Sequence, residues 1–313
     1  MTTVVDQHLL RPKEPIAPRV IRWVVLVGIL IPFIWSFRGL DLSLARLLEA
    51  PGRVWNITRA MFPPDLSPEV LQRAIPKVME SLLIAWVGTM IAAFLSLPLA
   101  FVAAQNTGSK ILGPVVRFVF IIIRTLPEIV LAMFLIPVAG LGAWVGTLAI
   151  GIHSIGTLGK LSTEVIEGAE KGPVEALAGV GGGRISQVRF GVLPQVLPTI
   201  MAYWLYRFEI NMRASAVIGL VGGGGIGLEL QSQLIFQDYP RVGTVLLLTI
   251  VVVLIIDTVS ARVRRRIITG NKEPGPVAVF QAAAVGKRIA MLTFSFVAAY
   301  CLVFILAQLQ APV

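Results

Sequence analysis

EALAGVGGGRISQVRFGVLP, residues 175–194, is a polar interruption between two strongly apolar stretches of a 313-residue chain. Pro173, just ahead of it, suits the first position of a helix, and Glu175 suits the first turn, where a carboxylate complements the helix dipole. Gly181, Gly182 and Gly183 end that helix and let the chain reverse, because glycine takes positive φ without steric cost. Residues 185–193 then read as a second helical stretch that Pro194 interrupts. A short helix, a glycine turn and another helix between membrane spans form a shape that a partner can grip.

The surroundings make this a membrane chain. Hydrophobic residues make up 56% of the sequence and charged residues 14%, with a mean hydropathy of +0.83. A soluble domain carries about a quarter charged residues, so an ordinary soluble fold is excluded. The formal charge of +10 raises nucleic acid as a partner. No basic stripe is interleaved with aromatic residues, however, and the excess flanks apolar segments, as the positive-inside rule requires. Cys301 is the only cysteine and excludes an intrachain disulfide, while His8 and His153 are too sparse for a metal site. After Arg19 and Arg22 the apolar run 23–37 lacks a small-residue cleavage pattern, so it reads as a retained span and not a signal peptide.

The expected fold is all-α and polytopic, with about seven spans at 20–37, 81–104, 115–139, 143–161, 196–220, 242–261 and 289–309. Basic residues gather on one side, ending in the run Arg262, Arg264, Arg265 and Arg266. That bias puts the N-terminus and the 175–194 loop in the cytoplasm and the C-terminus outside. The organisation expected is an N-terminal span with an external segment (1–80), a core (81–266) with its cytoplasmic loop at 162–194, a linker (267–288) and an additional span (289–313). Within the external segment, residues 66–77 are expected to lie as a helix on the membrane surface.

A charge inside lipid costs about 2.5–3.5 kcal/mol and needs a reason. Arg124 and Glu128 are four apart, as are Glu209 and Arg213, so each couple is expected to pair along its own helix. Pro127 permits a kink between the first two. Arg207 is then left unmatched, which favours a pathway-lining role for Arg207 and Arg213; a structural ion pair explains Arg124 and Glu128 equally well. Asp257 reads as a helix-end residue and His153 as a helix–helix hydrogen-bonding group. Gly222, Gly224 and Gly227 formally spell a dinucleotide fingerprint, but a charged span precedes them and Asp238 lies too close behind. A closely packed or flexible turn, suited to a gate, fits better. Gly159 and Lys160 are followed by Leu161, and Ser154 stands where a phosphate-binding loop needs glycine. No cofactor or metal is expected in this chain, and no constellation suggests an enzyme.

The 175–194 pattern resembles the cytoplasmic EAA loop of bacterial ABC importer permeases, with Glu175, Ala176, Leu177, Gly181, Leu193 and Pro194 at matching positions. Leu177 replaces the second alanine, and Gly191 stands where isoleucine is usual. FGVLPQVLP, YRFEINMRASAVIGLVGGGGIG, Asp238-Tyr239 and the Arg124–Glu128 stretch are similar to permease subunits of phosphonate and phosphite importers, over residues 80–266. The resemblance implies a type I importer permease core in a bacterial inner membrane. It also implies a homodimer, two ATPase partners that bind ATP and Mg, and an external substrate-binding protein. Glu175, Ala176 and Gly181 would belong to the helix that docks on the ATPase. Arg207, Glu209 and Arg213 would lie along the passage. Methionine or an osmolyte as cargo, and a secondary transporter without an ATPase, are the alternatives.

Overall fold

A computed structural model of the chain describes residues 16–38 and 44–269. The expected span at 289–309, nearly all of the linker at 267–288, and Cys301 lie outside the described residues. Every regular element among those described is helical. Helices α1 (Ile16–Arg38) and α2 (Leu44–Ala60) belong to one compact unit, and the chain from Ala60 onward makes a second. α1 overlaps the first expected span, and its stretch Val20–Ser36 is apolar.

The second unit opens with α3 (Pro68–Ala103), a single helix of 36 residues. It fuses the expected surface helix at 66–77 with the expected span at 81–104, so the division placed after residue 80 falls inside a helix. Pro68 occupies the first turn, where its missing N–H is no loss. Pro76 removes one hydrogen bond but does not break the helix, because Ala74 and Val78 on either side are buried against Ile226 and Val245.

The expected span at 115–139 is also corrected. It consists of α4 (Leu112–Thr125) and α5 (Glu128–Ala139), bent by 92° at the break. Leu126 and Pro127 have extended backbones, with ψ of 125° and 141°. Proline drives the residue before it out of the helical region, so the kink becomes a corner.

α6 (Ala143–Glu167) is the central helix. Gly88 of α3 faces it so closely that a Cβ would lie 2.9 Å from Ile150 Cγ2 and 3.1 Å from the Thr147 carbonyl. Ile84, Val145, Ala149, Ile150 and Ile218 fill one core cluster, and Ala100, Ile166, Val192, Val196 and Ile200 another. The chain continues through α7 (Lys171–Gly179), a helical turn α8 (Arg184–Ser186), a π-helical turn (Gln187–Val192), α9 (Leu193–Gly219), α10 (Gly225–Ile235) and α11 (Tyr239–Thr269). By length and composition α3 and α11 can each cross a membrane, and α4 with α5 can serve as a broken span. α7 meets the ends of α3 and α6 at what is here termed the loop end. The α9–α10 turn meets the start of α6 and the middle of α3, around Glu80 and Ser81, at the glycine end.

Candidate functional site

At the loop end, α7 starts at Lys171, so Pro173 is its third residue and Glu175 lies beyond the first turn, both later than expected. Proline is tolerated there because the first four N–H groups of a helix have no partner within it. Gly181 adopts φ +80°. Its N–H donates to the Ala178 carbonyl at 3.0 Å, and the Gly182 N–H donates to the Leu177 carbonyl at 2.8 Å. These two bonds make a Schellman cap, which satisfies carbonyls that the helix end leaves open.

Pro194 opens a helix instead of interrupting one: Leu193 and Pro194 begin α9. Ahead of them the ladder widens, and the Leu193 N–H bonds to the Val188 carbonyl five residues back. α7 rests on this widened turn. A Cβ at Gly191 would be 3.1 Å from Val174 Cγ2 and 3.3 Å from Leu177 Cδ1, so the small residue at this place is what lets α7 approach. Glu175 and Ala176 point to the exposed side, and Leu177 is half-buried. Val180 and Ile185 beside the glycine turn are 83% and 84% exposed.

A second knot binds the loop ends of α3, α4 and α6. Arg117 donates to the Ala103 carbonyl through Nε at 2.8 Å and also pairs with Glu167. The Glu167 carboxylate accepts from the Gln105 N–H at 2.8 Å, and Asn106 Nδ2 donates to the Ile166 carbonyl at 2.7 Å.

Between the two ends lies a polar cluster that joins four helices. Arg207 on α9 reaches Glu128 Oε1 on α5 at 2.5 Å, and His153 Nδ1 on α6 lies 2.6 Å from the same guanidinium. Arg207 Nε donates to Ser154 Oγ at 3.0 Å. Asn211, one turn further along α9, donates to Ser154 Oγ at 3.0 Å and to Thr89 Oγ1 on α3 at 2.8 Å. Arg207 is therefore fully matched, contrary to the expectation, and His153 does serve a helix–helix contact.

The expected pairs within single helices do not form. The corner at Pro127 separates Arg124 from Glu128, and Arg124 is exposed and makes no ion pair among the described residues. Glu209 pairs with Arg264 at 3.0 Å and Arg213 with Asp257 at 2.5 Å, both across to α11. Asp257 thus lies within α11 as a partner of Arg213 and not at a helix end. Packing brings partners from neighbouring helices closer than the residue one turn away.

At the glycine end, Gly222, Gly224 and Gly225 have φ of +94°, +77° and +70°. The Gly142 N–H donates to the Gly222 carbonyl at 2.8 Å. Glu80 Oε1 accepts from the Gly225 N–H at 3.0 Å, and Ser81 Oγ accepts from the Ile226 N–H at 2.8 Å, so α3 caps α10. Lys77 sits 2.7 Å from the other oxygen of Glu80. Glu80, Ser81, Ser154, Asn211 and Gln195 escaped the sequence reading. Ser154 beside His153, and Asn211 one turn from Arg207, were the available signals. No group of three His, Cys, Asp or Glu able to hold a metal occurs among the described residues.

Comparison with known proteins agrees with this architecture. The phosphite transport system permease protein PtxC of Stutzerimonas stutzeri is 34% identical over 242 residues, covering 77% of this chain and 86% of the relative. The phosphate-import permease protein PhnE of Mycolicibacterium smegmatis is 35% identical over 228 residues, covering 72% of this chain and 42% of the relative. Among solved structures, the inward-facing MetNI methionine ABC transporter matches with a TM-score of 0.58 at 21% identity, over 64% of this chain and 99% of that chain; at that identity the likeness shows the fold alone. The family model for the binding-protein-dependent transport system inner membrane component matches residues 96–269. The chain belongs to that family of multi-pass inner-membrane permeases.

Proposed function

We propose that this permease carries a small phosphorus oxyanion, phosphonate or phosphite, into a bacterial cytoplasm. Two separate ATPase subunits bind ATP and Mg and supply the work, an external binding protein delivers the cargo, and two copies of the chain enclose the passage. The loop end and the N-terminus then face the cytoplasm, and the glycine end faces outward. The exposed side of α7, with Glu175, Ala176 and the neighbouring Val180 and Ile185, is the surface on which the ATPase acts.

Arg124 is the observation that carries the anionic cargo. It lies 12 residues into α4, about 18 Å from the start of that helix at 1.5 Å per residue. Its backbone faces mid-α6, where a Cβ on Gly156 would come within 3.0 Å of the Arg124 N. An exposed guanidinium with no ion-pair partner among the described residues would cost about 2.5–3.5 kcal/mol against lipid at that depth, so on this reading it faces water, the passage or the second copy. The names of the phosphite and phosphate relatives support the same chemistry. Arg207 and Glu128, locked to each other, position the helices instead, while Arg213, paired yet more than half exposed, is the second cation available to a passing anion.

The complex reconstituted in vesicles with its ATPase and binding protein tests this reading. ATP hydrolysis is expected to rise with phosphite or methylphosphonate and not with methionine or glycine betaine. Stimulation by methionine, or uphill uptake by the permease alone, would overturn it. Arg124→Ala should lower uptake, and Arg124→Lys should retain part of it.

A further inference from the structure

We infer that Gln195 is the positioning residue that makes α7 and α9 move as one body. This rests on the ATP-driven reading above, because it concerns how work applied to α7 reaches the membrane helices.

Gln195 is the third residue of α9, directly after Pro194. Its Oε1 accepts from the Glu170 N–H at 3.0 Å, and its Nε2 donates to the Glu170 carbonyl at 3.2 Å. Glu170 is the N-cap of α7. A side-chain amide that takes both hydrogen bonds of one backbone residue copies the pairing of neighbouring strands, and it fixes distance and direction together. The same Nε2 donates to the Gly191 carbonyl at 2.5 Å, on the π-helical turn.

That turn is the weak place in the lever. Pro194 brings no N–H to the ladder, and the widened turn ahead of it is less regular than α-helix. Force applied to α7 would be absorbed there unless something bridged it. Two contacts do. Val174 and Leu177 of α7 sit against Gly191, and Gln195 ties the beginning of α7 to the foot of α9 across the turn. The apolar seat resists compression but not sliding, whereas the amide resists sliding. Gln195 is half-buried and touches neither the polar cluster around Arg207 nor the exposed side of α7. Its loss would therefore leave both the middle of the bundle and the ATPase surface in place.

The test uses the full complex in vesicles, with phosphite as the transported probe, and measures uptake and ATP hydrolysis in the same preparation. Gln195→Ala should assemble with the ATPase and hydrolyse ATP as wild type does, while phosphite moved per ATP falls about tenfold, the factor expected for hydrogen bonds worth about 1.4 kcal/mol together. Gln195→Glu keeps the acceptor for the Glu170 N–H but sets a carboxylate oxygen against the Glu170 and Gly191 carbonyls, so its ratio should fall at least as far as that of the alanine variant. This second variant carries the test where the alanine variant lowers the yield of the complex. A wild-type ratio in both variants overturns the role of Gln195. Failure of the wild-type permease to couple to any ATPase would instead overturn the reading on which it rests.

Discussion

The two glycine-rich turns at opposite ends of the bundle use glycine for different reasons. At the loop end, Gly181 needs its left-handed backbone, but a Cβ there would meet nothing within 4 Å, and the same holds for Gly183. At the glycine end the space itself is taken. A Cβ on Gly224 would lie 2.6 Å from the Ala143 N and 2.7 Å from Glu80 Oε1, one on Gly227 would run into the Ala216 carbonyl, and one on Gly219 would come within 2.7 Å of the Gly227 Cα. Only the middle glycine of the first turn is confined, since a Cβ on Gly182 would lie 2.7 Å from the Leu177 carbonyl; the second turn is closed on every side by the helices around it. On the proposed function, a turn met by a partner and a turn that holds α9 against α10, α3 and α6 place these opposite demands on the same residue type.

The comparison holds only if the bundle between the ends is stiff, and the largest expected effect tests that. Arg207→Ala strands Glu128 and His153 among buried polar groups, a loss of about 3–5 kcal/mol for a broken buried pair. The thermal midpoint of the purified permease should drop steeply. Replacing both partners, as in Glu128→Gln with Arg207→Met, should recover much of the loss, since an uncompensated charge is what costs most. A single variant with the wild-type midpoint would mean that the four helices are held by packing alone.

Gly227→Ala follows in size. Its Cβ meets backbone rather than the tip of a flexible side chain, so overpacking of about 1–3 kcal/mol is expected. Gly181→Ala should cost about 1–2 kcal/mol from the left-handed backbone alone. A Gly181→Asn variant should cost less, because asparagine visits that region more readily. If Gly181→Ala were the more damaging of the two in thermal melts, the contrast between an open and a closed turn would fail.

These differences also explain what the sequence could reveal. The Schellman cap at Gly181 and the corner near Pro127 follow from local backbone rules, and both were readable, although not the 92° size of the corner. Ion pairs were not. The rule of four apart is a statement about one isolated helix, and it suggested Arg124 with Glu128 and Glu209 with Arg213. In the bundle, α5 and α11 bring Glu128, Asp257 and Arg264 to α9 from 44 to 79 residues away. Nothing in a linear string ranks such partners. Gln195 was hidden for the same reason, since its bonds to Glu170 span 25 residues across a turn whose π geometry no residue announces.

The smallest effect concerns Asp65, which precedes α3 and helps to tie its start to the start of α11. Its Oδ1 accepts from the Ser67 N–H at 3.0 Å, and Arg241 Nε lies 3.5 Å from its other oxygen. The Ser67 backbone N–H above all, then the Ser67 hydroxyl and Arg241, hold the carboxyl below the ordinary aspartate value of 3.8. The folded chain therefore binds this proton less readily than the unfolded chain does. Its stabilisation is present above 3.8 and fades as pH falls through the lower folded value. Asp65→Asn should lower the thermal midpoint slightly at neutral pH, and the gap to wild type should close as the solution is taken below about pH 4. The absence of any gap at neutral pH would assign this tie to the bonds of the Asp65 backbone alone, from its N–H to the Pro240 carbonyl at 3.3 Å and from Thr244 Oγ1 to its carbonyl at 2.7 Å, which the variant keeps. Those bonds carry no proton dependence, so the two contributions separate on pH even where their sizes are similar.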